Sequence, residues 1–95
     1  MMLQYADAVI SCAHEAHGGV MHGHSYRVRA FWDTIIDVTA RKSALLHACA
    51  VLDHTTLPVY LTRAEQIAEN IGDSLDCCSV EVSRPLEGLG ARWLR

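Results

Sequence analysis

No run of like charges occurs in these 95 residues, no apolar stretch is long enough to cross a bilayer, and no linker, repeat or low-complexity segment interrupts the chain. Each absence excludes a class of function. Nucleic-acid surfaces are built from clustered Lys and Arg that displace counterions. Here the arginines are scattered over positions 27, 29, 41, 63, 84, 92 and 95 and the net charge is −3, so no nucleic acid is expected as a partner. A membrane span needs about 20 consecutive apolar residues, so no membrane association is expected either. Met1–Asp7 lacks the basic start and long apolar core of a signal peptide, which leads to the expectation of a cytoplasmic protein. In that compartment Cys12, Cys49, Cys77 and Cys78 are expected as reduced thiols, serving as small apolar core residues.

What is present is a globular composition, 51% apolar and 20% charged, which fits one domain over residues 1–95. Residues 4–14 alternate loosely, with Ala6, Ala8, Ile10, Cys12 and His14 on one parity. Residues 22–32 alternate more sharply, with His22, His24, Tyr26, Val28, Ala30 and Trp32 on one face and Ser25, Arg27 and Arg29 on the other. Both patterns predict strands with one buried face, joined as antiparallel neighbours through the Gly18–Gly19 segment. Residues 34–37 are expected to add a short strand. Over 38–52 the period changes to that of a helix, with Val38, Leu45, Ala48 and Leu52 inward and Arg41, Lys42 and His47 outward. Thr62 followed by Glu65 has the spacing of a capping box and predicts a second helix, with Ile67, Ala68, Ile71 and Leu75 on one side. Residues 79–83 and 91–95 complete the pattern as strands. The order β-β-α-α-β-β predicts an α+β fold, two helices on one face of an antiparallel sheet.

Histidine is the unusual component. Six are present and four, His14, His17, His22 and His24, fall within residues 14–24, where an even scatter would place fewer than one. His-rich tracts of this kind point to metal. His22 and His24 flank one residue on a predicted strand, so both imidazoles project to the same side. Antiparallel pairing can bring His14 beside them. Three imidazoles at about 2.0–2.1 Å suit Zn²⁺, and three protein ligands leave a fourth position for water or substrate. The alternative is a set of half-buried histidines that order a loop. Asp53-His54 is a second constellation: a carboxylate on Nδ1 fixes an imidazole's tautomer and raises its basicity. The same dipeptide also suits a helix end, with His54 facing the macrodipole.

The fragments ISCAH (10–14), HGHSYRVR (22–29), IID (35–37), LDHTTL (52–57), TRAEQIAENI (62–71), VEV (80–82) and ARW (91–93) together resemble the 6-pyruvoyltetrahydropterin synthase and 6-carboxytetrahydropterin synthase family, over nearly the whole chain. The resemblance implies the tunnelling fold, a homohexamer built as a dimer of trimers, and active sites at subunit interfaces. It implies Zn²⁺ on His14, His22 and His24, an acid–base pair of Asp53 and His54, and a reduced pterin substrate such as dihydroneopterin triphosphate, with Thr62 and Arg84 in substrate binding. The implied activity is that of a lyase, with 6-carboxytetrahydropterin synthase of the queuosine pathway as the nearest member.

Three departures from the family pattern accompany the resemblance. The family's cysteine, four residues before the first His of H-G-H, is Gly18 here, and Cys12, Glu15 and His17 are the candidates to replace it. The glutamate that anchors the pterin ring falls at Arg84, and a guanidinium has no acceptor for that ring's N–H groups. Glu81 has the wrong strand parity for the task, and Glu87 would need a loop rearrangement. Finally, the connections around residues 14–22 and 32–34 are short. These departures support an alternative: a diverged tunnelling-fold zinc protein without the usual synthase activity.

Overall fold

In the computed structural model, which describes residues 1–15 and 21–95, the chain forms β1 (Gln4–Glu15), β2 (Met21–Trp32), α1 (Val38–Ala50), a single 3₁₀ turn (Val59–Leu61), α2 (Ala64–Ser74), β3 (Ser79–Arg84) and β4 (Leu89–Leu94). The four strands make one antiparallel sheet in the order β1-β2-β3-β4, and the predicted β-β-α-α-β-β order is observed. His17 and Gly18 lie outside the described residues. No helix among the described residues is long and apolar enough to cross a membrane.

The core follows from strand parity. Ala6, Ala8, Ile10 and Cys12 of β1, Tyr26, Val28, Ala30 and Trp32 of β2, and Val80 and Val82 of β3 all face the same side and are buried. The helices cover that side with Leu45 and Cys49 of α1 and Ile67, Ala68 and Ile71 of α2. Each fully buried Val, Leu or Ile contributes about 1.5–3 kcal/mol relative to exposure. The opposite face carries one row of alternating charge across all four strands: Asp7 opposite Arg29, Arg29 opposite Glu81, Glu81 opposite Arg92. Arg29 grips Asp7 through two hydrogen bonds of 2.5 and 2.8 Å, and Arg92 pairs with Glu81.

Several local expectations are corrected. Residues 34–37 form no strand. The side-chain amide of Gln4 instead serves the backbone of Ile36, donating to its carbonyl at 2.6 Å and accepting its N–H at 3.1 Å. Asp37 then caps α1 by accepting the Thr39 N–H at 3.0 Å. Arg41, expected outward, is buried, and Val38, expected inward, is exposed. α1 carries apolar residues around most of its circumference, so its periodicity barely selects a face. The guanidinium of Arg41 decides the rotation by lying 4.9 Å over the Trp32 ring and donating to both the carbonyl and the hydroxyl of Thr34. α2 begins one residue later than the Thr62–Glu65 spacing predicts: Gln66 Oε1 accepts the Arg63 N–H at 2.9 Å. β4 begins at Leu89, two residues before the expected start.

Candidate active site

β1 and β2 are the longest strands, 12 residues each, while β3 pairs with β2 only over residues 27–31 of the latter. The hairpin therefore projects past β3, and its projecting end carries the histidines. Strand register sets His14 opposite His22 and Cys12 opposite His24. The rings of His14 and His24 stack with centroids 4.9 Å apart and planes 22° from parallel. His22 is set opposite His14 by the strand register; its side chain lies outside the described residues. Among the described residues no group of three or more His, Cys, Asp or Glu side chains is gathered as a metal site. The described donor set is thus two adjacent imidazoles, with a third histidine in register beside them. Neutral nitrogen donors of this kind suit Zn²⁺.

LDHTTL does not continue α1. Leu52 and Asp53 N–H groups bond back to the Cys49 carbonyl at 3.0 Å each, and the following residues lie along the outer edge of β1. The His54 N–H donates to the Ser11 carbonyl at 2.5 Å, the Ala13 N–H to the Thr55 carbonyl at 2.9 Å, and the Leu57 N–H to the Ala13 carbonyl at 2.7 Å. Three edge bonds thereby bring Asp53-His54 to the end of β1 that bears His14. Asp53 Oδ1 accepts the Ser11 N–H at 2.8 Å and stands 3.1 Å from His54 Nδ1. The Ser11 hydrogen bond, aided by His54, holds the Asp53 carboxyl below its ordinary value, so it is ionised at neutral pH. His54 is four residues past the end of α1.

Cys12 is the one candidate replacement for the missing loop cysteine whose side chain is described. It is buried, and burial followed by the negative charge of Asp53 pushes its thiol up. Cys49 is pushed up to about 11 by burial and by the same carboxylate. Both remain thiols at neutral pH, and a thiol is a poor nucleophile compared with a thiolate. Glu15 and His17 lie outside the described side chains.

Arg84 ends β3 on the inward parity of Val80 and Val82. With Thr62 and Tyr26 it lines a cavity of about 410 Å³. With Tyr26 and His24 it lines a second cavity of about 420 Å³, beside the projecting hairpin. The two sequence-predicted binding residues, Thr62 and Arg84, therefore share one wall, and Arg84 links that wall to the histidines. Glu81 is on the opposite face, occupied by Arg92, as its parity predicts. Tyr26 is the functional candidate the sequence reading left among core residues. It is 2% exposed, its ring centroid is 6.0 Å from that of His24, and burial raises its phenol, so it stays protonated and able to donate. Its signal was its place two residues after His24, on the same parity.

Comparison with known proteins gives the fold a precedent. No protein-family model matches the chain, and no curated protein matches it significantly. Among solved structures, that of Caenorhabditis elegans 6-pyruvoyl tetrahydropterin synthase superposes with a TM-score of 0.68 and 13% sequence identity, covering 99% of this chain and 95% of that one. At that identity the likeness establishes a shared fold, the tunnelling fold that the motif resemblance implies.

Proposed function

We propose that the chain is a zinc-dependent, pterin-synthase-like lyase acting on dihydroneopterin triphosphate or a related reduced pterin, nearest in kind to 6-carboxytetrahydropterin synthase of the queuosine pathway. The observation that carries this reading is the β1/β2 register, which stacks His14 on His24 and sets His22 opposite His14. His14, His22 and His24 would hold the metal, which supplies stabilisation of negative charge developing on substrate oxygens. The Asp53 carboxylate orients His54, whose imidazole moves the side-chain proton as general acid and base. Thr62 and Arg84 hold the substrate from the adjoining wall. The fold shared with a pterin synthase supports the substrate class.

Assembly belongs to the same reading: a homohexamer, as a dimer of trimers. β1 and β4 are the two edges of the sheet, and the charged row ends in Asp7 on one edge and Arg92 on the other. Antiparallel contact between β4 of one copy and β1 of the next would continue the alternation, with Arg92 against Asp7 and Leu94 against Tyr5. Lys42, which donates to the Asp7 carbonyl at that edge, would release it to the incoming strand. His54, at 82% side-chain exposure, would face a neighbouring copy. Arg92→Glu is expected to lower the assembly's mass in light scattering; an unchanged mass argues against this edge.

The inward parity of Arg84 favours one second reading, a diverged tunnelling-fold zinc protein that has lost synthase activity. Metal analysis and turnover separate the two. About one zinc per chain is expected, released in His24→Ala, and zinc retained by that variant rejects the histidine site. Incubation with dihydroneopterin triphosphate should release acetaldehyde or yield a pyruvoyl pterin. A zinc-loaded protein that does neither belongs to the second reading.

A further inference from the structure

Tyr26 is only 2% exposed, yet its hydroxyl makes no hydrogen bond to any described residue. Buried phenols ordinarily find a partner, because a desolvated hydroxyl left alone is costly. Among the described residues, Ser79 Oγ is the one fully buried side-chain oxygen or nitrogen without a partner, so the unpaired Tyr26 oxygen must border open space. Tyr26 lines the cavity of about 410 Å³ that Thr62, Arg63, Ala64, Glu65 and Arg84 also line. A nearly buried, unsatisfied donor thus looks into a cavity closed on one side by the start of α2 and on another by the end of β3.

The rest of that wall is also rich in donors. The N-cap of α2 is Arg63, and a guanidinium has no acceptor with which to cap the first-turn N–H groups as Ser or Asp would. The side chain of Gln66 is turned back onto the Arg63 N–H at 2.9 Å. The positive end of the α2 macrodipole therefore opens on the cavity, an arrangement that favours anions. From β3, Arg84 spends one nitrogen on Glu87 at 2.9 Å, and the remaining N–H donors of its five are available to a ligand. The Arg63 guanidinium is in no ion pair among the described residues. Against these donors the cavity wall carries the carboxylate of Glu65, which is exposed, while Glu87 lines the neighbouring cavity.

We propose that this cavity holds a tetrahedral oxyanion, the phosphate group of a phosphorylated small molecule, received by the Tyr26 hydroxyl, the Arg84 guanidinium and the first N–H groups of α2. The donors belong to three elements, β2, β3 and α2, and so surround the cavity instead of lying along one edge of it. A tetrahedral group turns oxygens toward all three, whereas a planar carboxylate has two oxygens in one plane. Arg84 supplies the compensating charge, and Tyr26 supplies the short-range contact that fixes one oxygen. The proposal goes beyond the pterin reading: it names the group that this wall takes and holds for any phosphorylated ligand, dihydroneopterin triphosphate included.

The test titrates inorganic phosphate into the intact protein supplied with zinc, by calorimetry at constant ionic strength, with acetate as the planar comparison. Phosphate is expected to bind at least roughly 10-fold more tightly than acetate; R84Q should weaken it by roughly 10- to 100-fold and Y26F by roughly 10-fold, the range of hydrogen bonds to a charged group. E65Q should tighten it by about two- to fivefold, since one exposed opposing charge is removed. Y26F should also leave the thermal midpoint unchanged or raised, because an unpaired hydroxyl has been taken from a buried position. A lower midpoint in Y26F overturns the proposal by showing the hydroxyl occupied within the fold. So do acetate binding as tightly as phosphate, no phosphate binding by the unaltered protein, and phosphate binding indifferent to both Y26F and R84Q, which would place the ion elsewhere, the zinc included. Phosphate binding that responds to both variants in a protein without pterin turnover supports this site while removing the pterin chemistry; turnover beside phosphate binding that ignores both variants does the reverse.

Discussion

The carboxylate of Asp53 and the imidazole of His54, adjacent in sequence, meet at 3.1 Å because His54 adopts φ +57° while its N–H is tied to the Ser11 carbonyl. Left-handed backbone is uncommon outside glycine, although histidine is one of the residues that enters it more readily. The turn swings the imidazole back to the preceding carboxylate instead of letting it run on along the edge of β1. Backbone geometry at one residue thus creates the carboxylate–imidazole contact.

Replacing His54 separates backbone from chemistry. His54→Gly removes the imidazole but suits the backbone, so stability is expected to hold or rise while turnover of the proposed pterin substrate falls by roughly 100- to 10,000-fold. His54→Val places a β-branched residue at positive φ and should cost about 1–2 kcal/mol of stability. Urea denaturation of both variants, alongside a turnover assay, checks this. Equal stabilities would show that the backbone at His54 carries no strain for a side chain.

Asp7 gives a pH dependence of known sign. The Arg29 hydrogen bonds hold its carboxyl below the ordinary value of 3.8. A depressed carboxyl contributes stability that is present above the unfolded value and lost as pH falls through the folded one. Asp7→Asn should therefore cost under about 1 kcal/mol at neutral pH, because the pair is partly exposed and screened. The difference between Asn and Asp should begin to close below about pH 4. Thermal melts of the two proteins from pH 7 to pH 2 provide the measurement, and a gap that widens with acid would reverse the assigned sign.

Arg41 should not tolerate lysine. Both residues are cations, but the planar guanidinium sits 4.9 Å over Trp32 while one of its nitrogens donates to both the Thr34 carbonyl and hydroxyl, a combination a compact ammonium does not reproduce. Arg41→Lys is expected to cost about 1–3 kcal/mol, from the lost stacking and charge-assisted hydrogen bonds. A midpoint in denaturant equal to that of the parent protein would show that only the charge matters there.

Gly72 sets two magnitudes against each other. Glycine in the interior of α2 is about 1 kcal/mol worse than alanine by helix propensity. A Cβ at this position, however, would lie 2.4 Å from two atoms of the Trp93 ring, and overpacking of this kind costs about 1–3 kcal/mol. The Trp93 ring is also stacked by Arg95 at 4.9 Å, which resists its displacement. Gly72→Ala should therefore lose about 1 kcal/mol net, readable as a lowered Tm, with Trp93→Leu in the same background recovering stability.

Two-residue alternation in 4–14 and 22–32 was enough to assign the inward faces of β1 and β2, because a pleated strand leaves each side chain only two directions. It therefore grouped His14, His22 and His24 on one face and carried Tyr26 with them. The same logic separated Glu81 from Arg84 by parity, whereas the inward position of Arg84 was decided by an unbulged register through β3, and the motif resemblance named the fold that the structure adopts. Parity cannot determine which residue stands opposite which, and here the pairing of His14 with His22 and of Cys12 with His24 emerges only from cross-strand hydrogen bonding. Nor could periodicity orient α1, whose apolar residues leave its rotation to one guanidinium and one indole. The placement of Glu87 beside Arg84, whose Nη2 donates to Glu87 Oε1 at 2.9 Å, depended on the turn bonds Glu87 N–H to the Arg84 carbonyl and Gly88 N–H to the Pro85 carbonyl and on a left-handed Gly88, and the Asp53–His54 contact on a left-handed histidine tied to Ser11. Side-chain direction in a regular element is local and can be read from sequence; register and turn geometry are settled by contacts between residues far apart in the chain, and those belong to the tertiary structure.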